Sequence, residues 1–340
     1  MSFLRLLSSI CALVALALVA NAASAADNPQ KILARQELVP IVPNVWGTSD
    51  ELKLQEIASE LPKLKEPLLV LQRDLQQRME ANSLVWGQQG ITIKAMESSL
   101  AKLSPSDPGR QPLLVQIAQA RSQTIEPEKL AGQFAVQQRL IELIEVRNAI
   151  SIAILESDRL LAAMMARYAD LEKDEAVTAA LRAIDKGARL GPARSLENHR
   201  RRLAEYEKLV FTTSVPVYLQ SGRLRVSAIA GDRLPVTFTF QNNSAGESTM
   251  ITSSVAESLD VVIDRKVAPL KVEVAPKRVA MVRETTISYL RLGRFTTSGV
   301  RVLVLPPECE DLGCTLARGT LSGHSVKVDL PQFRMVIDGE

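Results

Sequence analysis

The sequence predicts an α+β fold in two parts, a helical N-terminal region followed by an all-β C-terminal region. Three observations carry this. From Ser49 to about Lys208 apolar residues recur at three- and four-residue spacing. From Phe211 onward the period switches to two, in short runs bounded by Gly, Asp and Pro. After that switch only one helical stretch, about Ser253–Leu259, interrupts the alternation.

The chain has 340 residues. Residues 1–25 read as a secretory signal peptide: Arg5, an apolar run through Leu13–Val19, then Ala23-Ser24-Ala25 with cleavage after Ala25. The rival reading is a membrane anchor, but the run falls short of the ~20 apolar residues that span a bilayer. The expected address is therefore secreted or periplasmic, with no membrane span after cleavage. The formal net charge is +3, with no concentrated basic face, so nucleic acid is not an expected partner. Arg200-Arg201-Arg202 reads as a solvated helix face, and His199 with it.

Residues 26–48 form a lead that reads as extended, with Pro40, Pro43 and Trp46. Residues 49–209 form the helical domain. Ser49-Asp50-Glu51 opens its first helix with acids in the first turn. Leu52, Leu54, Ile57, Leu61, Leu64 and Leu68 follow, and Pro62 and Pro67 predict a kink or break on the way to about Asn82. A second stretch, Leu84–Leu103, contains Gly87 and Gly90; Ser104–Gly109 is a turn, and Leu113–Gln123 a short helix. Pro127 opens the most strongly patterned helix, with Leu140, Ile144, Ile150, Ile154, Leu161 and Tyr168 on its stripe. At more than 40 residues it is on the order of 60 Å long, which calls for a helical hairpin or coiled coil. Helices at about Asp174–Lys186 and Ser195–Lys208 complete the region. Met164-Met165 reads as core.

Residues 210–340 form the β domain, long enough for one core. Strands are expected at 215–219, 224–229, 236–240, 271–274, 279–282, 286–291, 299–305, 325–329 and 333–337, with Gly222 and Gly231-Asp232 as turns. Leu234–Asp260 reads as strand, Ser/Gly/Asn loop, short strand and short helix. Cys309 and Cys314 close around a Gly-containing turn and are a disulfide candidate in an oxidising compartment. A metal site or redox pair is the weaker reading, because the chain has only His199 and His324 and no Cys-x-x-Cys. No phosphate loop, dinucleotide fingerprint, Gly-x-Ser-x-Gly or His-Glu-x-x-His occurs, so no cofactor and no metal are expected.

The order of these features resembles the retropepsin-like aspartic protease domains of secreted bacterial proteins. In that family a strand pair leads to Asp-Thr/Ser-Gly-Ala-Ser, then a short apolar run and a helix. A hairpin flap follows, then a strand closing in Val-Gly, a Leu-Leu-Gly segment and a final strand. Here Leu224–Phe240 matches the leading hairpin and Met250–Asp260 the segment after the catalytic loop. Leu270–Thr285 is placed like the flap and Ile287–Phe295 like the Val-Gly strand. Leu321–Lys327 is placed like the Leu-Leu-Gly segment and Phe333–Asp338 like the last strand. The resemblance implies an acid-protease barrel over nearly all of 211–338.

It also exposes a gap. Counting back from Ala256 puts Asn243 at the catalytic position, with Ser244, Ala245 and Gly246 after it; counting forward from Phe240 puts Gln241 there. Both are amides. The family's chemistry needs two carboxylates sharing a proton, one from each domain of a dimer, and an amide cannot take that part. His324 stands at an apolar position of the second motif and reads as a packed or surface histidine. The function implied is that of an exported, non-catalytic protein holding a peptide or envelope partner in the old substrate groove, with a homodimer through the β domain implied by the family. The alternatives are an active endopeptidase that recruits another carboxylate, Glu247 or Asp260, and a purely structural coiled-coil envelope protein.

Overall fold

A computed structural model describes residues 28–339 except 106, 126–132, 243–247, 265 and 267; for 82–86, 122–125, 133–134 and 331 it describes the backbone alone. The signal-peptide reading of 1–25 and the start of the long helix at Pro127 lie outside the described residues. The fold is mixed α+β, helical in its N-terminal half and dominated by a large sheet in its C-terminal half.

Helices come first: α1 (Pro29–Arg35), α2 (Ser49–Lys102), α3 (Arg110–Ile125), α4 (Gln133–Leu171), α5 (Glu175–Ile184) and α6 (Ser195–Val210). Three short strands lie among them, β1 (Leu38–Val42), β2 (Val45–Thr48) and β3 (Arg189–Leu190), joined in the order β1-β2-β3. The switch to strands falls at Val210, and β4 begins at Ser214.

Two expectations for this half of the chain are corrected, one for a helix and one for the lead. The first helix does not break at Pro62 or Pro67, nor at Gly87 or Gly90, but runs unbroken for 54 residues. Each proline costs about 3 kcal/mol in a helix interior. Against that, Leu54, Leu61, Leu68 and Leu75 are all buried, at intervals of seven residues, and burying a leucine contributes about 1.5–3 kcal/mol. A continuous apolar seam therefore carries the helix across its weak points. In α4 the buried residues Val136, Leu140, Leu143, Ile150 and Ile154 follow the alternating four-and-three spacing of a helix seam. The lead, expected to be extended, is so at β1 and β2 but helical at α1. Asn28 caps α1 by accepting from Gln30 N at 3.0 Å, and β1–β2 is a hairpin with Trp46 half-buried.

The described residues form two compact units, each discontinuous in sequence: one of those up to Ser59 with Ser157–Arg201, the other of those in Glu60–Glu156 and from Arg202 on. In the first, Arg167 Nη2 donates to Gln36 O at 2.8 Å and pairs with Glu37 at 3.1 Å, fastening the end of α1 to α4. His199, expected in solvent, is buried here instead. A second buried group is Glu51, whose carboxyl accepts from Tyr168 Oη at 2.5 Å and from Ala193 N at 2.7 Å. Tyr168 Oη accepts in turn from Thr48 N at 3.1 Å. Burial, and then the bond to Glu51, push the Tyr168 phenol well above its ordinary value. Gly47 and Gly191 are what let the backbone come this close: a Cβ on Gly191 would stand 2.6 Å from Tyr168 Oη and 2.8 Å from Glu51 Oε2.

In the second unit the strands β4 (Ser214–Gln220), β5 (Arg223–Ala230), β6 (Leu234–Gln241), β7 (Met250–Ile251), β8 (Leu270–Ala275), β9 (Arg278–Leu292), β10 (Phe295–Val304), β11 (Cys314–Ala317), β12 (His324–Asp329) and β13 (Arg334–Gly339) build one sheet. Its order is β12-β13-β4-β5-β6-β11-β7-β10-β9-β8, and β5 also pairs with β9. Two pairs are parallel, β6 with β11 and β7 with β10; β7 and β11 are antiparallel. The helix α7 (Ser253–Ser258) follows β7 as expected. Val226, Phe238, Ile251, Leu290, Leu316 and Met335 centre the main core cluster. The helices of this unit are tied to the sheet by polar contacts. Gln137 Oε1 accepts from Leu219 N at 2.7 Å, and Asn148 Nδ2 donates to Ser227 at 2.9 Å. Arg147 occupies a seam position of α4 and donates to Val210 O at 2.5 Å, satisfying the C-terminus of α6. Burial pulls its guanidinium down to about 10.

The expected Cys309–Cys314 bridge is absent: both are free, buried thiols. They belong to different clusters. Cys309 packs with Met250, Val282 and Leu305, and Cys314 packs in the main core with Phe238 and Leu316. Gly313 between them takes φ 68°, turning the chain from the 3-10 segment Pro307–Leu312 into β11. Burial raises the Cys314 thiol above its ordinary value, so it is a poor nucleophile.

Candidate functional site

The β5–β6 hairpin sets up the site. It reverses through Gly231 and Asp232, both at positive φ, and Gly231 N donates to Tyr289 O at 2.9 Å. Along β6 the side chains alternate: Val236, Phe238 and Phe240 go to the core, while Thr239 and Gln241 line an open groove of about 1260 Å³. Strand β11 lies beside β6 with Thr315 opposite Thr239 and Ala317 opposite Gln241. Thr315 therefore joins the same floor. Thr249, at the return of the loop, completes it: its hydroxyl accepts from Ala317 N at 3.1 Å and bonds the Thr320 hydroxyl at 2.5 Å.

The floor is polar and incompletely paired. Arg225 Nη1 donates to Thr239 Oγ1 at 2.6 Å. Thr315 is 9% exposed; among the described residues its hydroxyl and Gln241 Oε1 have no partner, and neither does Nε of Arg225, which does not itself line the groove. Leaving such groups unpaired costs roughly 1–3 kcal/mol each. One wall is β10, with Val300 and Val302. The roof is the β8–β9 hairpin, reversing at Pro276-Lys277 with Lys277 at φ 64°. Its tip is fastened by Arg278, which pairs with Asp311 at 2.7 Å and donates to Glu308 O. The Arg278 guanidinium holds the Asp311 carboxyl below its usual range.

Acids are few here. Among the described lining residues only Glu273 and Glu284 carry carboxyls. Glu273 Oε1 accepts from Lys277 N at 3.2 Å, and Glu284 stands 3.9 Å from Arg301. Glu310, on the 3-10 segment, is spent on the N-terminus of α7. It accepts from Ser253 Oγ at 2.5 Å and Ser254 N at 3.0 Å, and these bonds lower its pKa. Asp260, the substitute carboxylate considered from sequence, pairs with Arg233 at 2.6 Å and does not line the groove.

Of the sequence-derived candidates, Gln241 lies on the floor at the end of β6. Asn243, Ser244, Ala245, Gly246 and Glu247 lie outside the described residues. His324 stacks edge-on against Phe295, with centroids 4.6 Å apart. Sequence reasoning missed Thr315, Thr249 and Thr320. The one available signal was the short apolar run Cys-Thr-Leu-Ala, which reads as a buried strand only once the Cys–Cys turn is set aside.

A smaller recess, about 410 Å³, lies in the first unit against Pro40, Trp46 and Ile184. Among the described residues no group of three His, Cys, Asp or Glu could hold a metal ion, and no helix is long and apolar enough to cross a membrane. No protein-family model, curated protein or solved structure matches the chain. The groove can donate and accept hydrogen bonds through hydroxyls and an amide. It presents no pair of carboxylates on its described floor.

Proposed function

We propose that residues 210–340 are a catalytically silent retropepsin-like domain whose groove holds an extended peptide of an envelope or secreted partner. The observation that carries this is the groove itself, a hairpin-roofed channel with a floor of hydroxyls and an amide where a peptidase of that kind needs paired carboxylates. The element order supports the resemblance: hairpin, loop, short strand, helix, roof hairpin, long strand pair and final strand follow one another as in that family. The β5–β9 pairing, which brings the sheet back on itself, supports a barrel-like reading. Thr315 and Gln241 line the groove from neighbouring strands, and a hydroxyl and an amide are group types that can pair with an extended peptide backbone.

The test uses the full chain, because 60–156 and the β strands share one compact unit and a cut at 210 would divide it. A panel of immobilised extended peptides should give saturable binding that Thr315→Val weakens, with no turnover at acid or neutral pH. Pepstatin-sensitive cleavage abolished by Glu247→Gln would overturn the proposal in favour of an active endopeptidase. Binding that survives in Thr315→Val and Gln241→Leu alike would move the partner surface away from the groove.

A further inference from the structure

Strand β8 ends the sheet. It pairs with β9 on one side, and among the described residues no strand pairs with its other side. Proteins guard such edges, because a row of unpaired N–H and C=O groups is a template for another strand. The usual guards are lysines, prolines, bulges or cover from another element. The β8 sequence, Leu270-Lys271-Val272-Glu273-Val274-Ala275, has no proline, a bulge only at its far end, and a single lysine whose charge a glutamate balances. It carries one positive and one negative charge, two residues apart and on the same face.

That pattern is complementary to itself. In an antiparallel pair related by a two-fold axis through Val272, Lys271 of each copy faces Glu273 of the other, twice. Leu270 faces Val274, and Val272 faces Val272. Shifting the register by two residues either way sets Lys271 against Lys271 or Glu273 against Glu273, which is repulsive. Shifting by one sets valine against glutamate. The charges thus select a single register. Its limits coincide with the strand's own: Pro269 precedes Leu270, and the β8–β9 register breaks into a bulge between Glu273 and Ala275. Glu273 keeps Oε2 for this contact, since only Oε1 takes the Lys277 N–H. Beside the two charges on the same face, Met281 opposite Lys271 and Val279 opposite Glu273 are 52% and 53% exposed, and Leu270 on the other face is 46% exposed. These are apolar side chains left uncovered on a roof hairpin.

We infer that the β8 edge is an interface for a second copy of this chain, pairing antiparallel about Val272 through reciprocal Lys271–Glu273 ion pairs. Because Leu270, Val272 and Val274 also line the groove, this pairing sets two grooves side by side on one continuous sheet. The inference does not depend on what the grooves hold.

Sedimentation of the full chain across a concentration series tests it. The wild type should dimerise, and Lys271→Glu and Glu273→Lys should each weaken the dimer by roughly tenfold or more, since each sets two like-charge pairs face to face. The double swap, Lys271→Glu with Glu273→Lys, should restore it. An equimolar mixture of the two single variants should form a heterodimer although each alone stays monomeric. Both positions are on an exposed edge, so unchanged unfolding midpoints separate loss of pairing from loss of fold. A monomeric wild type, single variants that dimerise like the wild type, or a mixture that fails to associate each overturns the inference.

Discussion

The carboxyl of Glu51 and the hydroxyl of Thr315 are both buried, one in each compact unit, and they are satisfied to very different degrees. Glu51 takes two donors, the Tyr168 phenol and the Ala193 N–H, in a site so tight that only glycine fits at 47 and 191. Thr315 lies under the floor of the groove, and among the described residues neither its buried hydroxyl nor Gln241 Oε1 has a partner. A saturated polar cluster fixes the elements that supply it. An unsaturated one loses stability by standing empty and regains it when something binds. The same chemistry thus makes a structural rivet in one unit and leaves an unsatisfied polar floor in the other.

The comparison breaks first at Glu51. Glu51→Ala strands a buried phenol and a buried N–H, and should cost about 3 kcal/mol or more in denaturant-induced unfolding. Gly191→Ala should follow at about 1–3 kcal/mol, because its Cβ would meet atoms already locked in hydrogen bonds. Next is pH. The Tyr168 phenol is raised in the folded state, so the folded form holds its proton where the unfolded form releases it. Its contribution is complete below the ordinary tyrosine value of 10.0 and fades as pH rises above it. Hydrogen exchange in the first unit should accelerate there, and Tyr168→Phe should remove that pH dependence. Thr315→Val should run the other way: neutral, or stabilising by up to about 1 kcal/mol, while weakening peptide capture. Equal destabilisation at both sites would end the distinction between rivet and groove. The smallest effect is expected at Arg278→Ala, which should leave the unfolding midpoint nearly unchanged and raise amide exchange within Leu270–Val282.

Much of the fold was legible from residue spacing, because most elements bury one face only. The alternation in β4, β5, β6, β12 and β13 marked these strands to within a few residues. What could not be read has physical causes. Strand β11 is buried on every residue, so it has no alternation, and its opening cysteine suggested a bridge instead. The unbroken α2 defied local rules at Pro62 and Pro67 because its leucine seam outweighs them. Glu51 and Tyr168 are 117 residues apart, and no local pattern announces such a pair. Within the groove, Gln241 was legible because its strand was; Thr315 was not, because β11 was not.

The position of β11 also has a consequence in time. It is inserted between β6 and β7, although β7 to β10 all precede it in the chain. Until Cys314–Ala317 has left the ribosome, neither β6 nor β7 has its central neighbour, and the core around Phe238 and Leu316 cannot close. The sheet is therefore a late-folding structure, dominated by pairings distant in sequence and slow to form. Its half-built form exposes the apolar edges of β6 and β7 until β11 arrives, which makes that interval the point where a chaperone would be needed most.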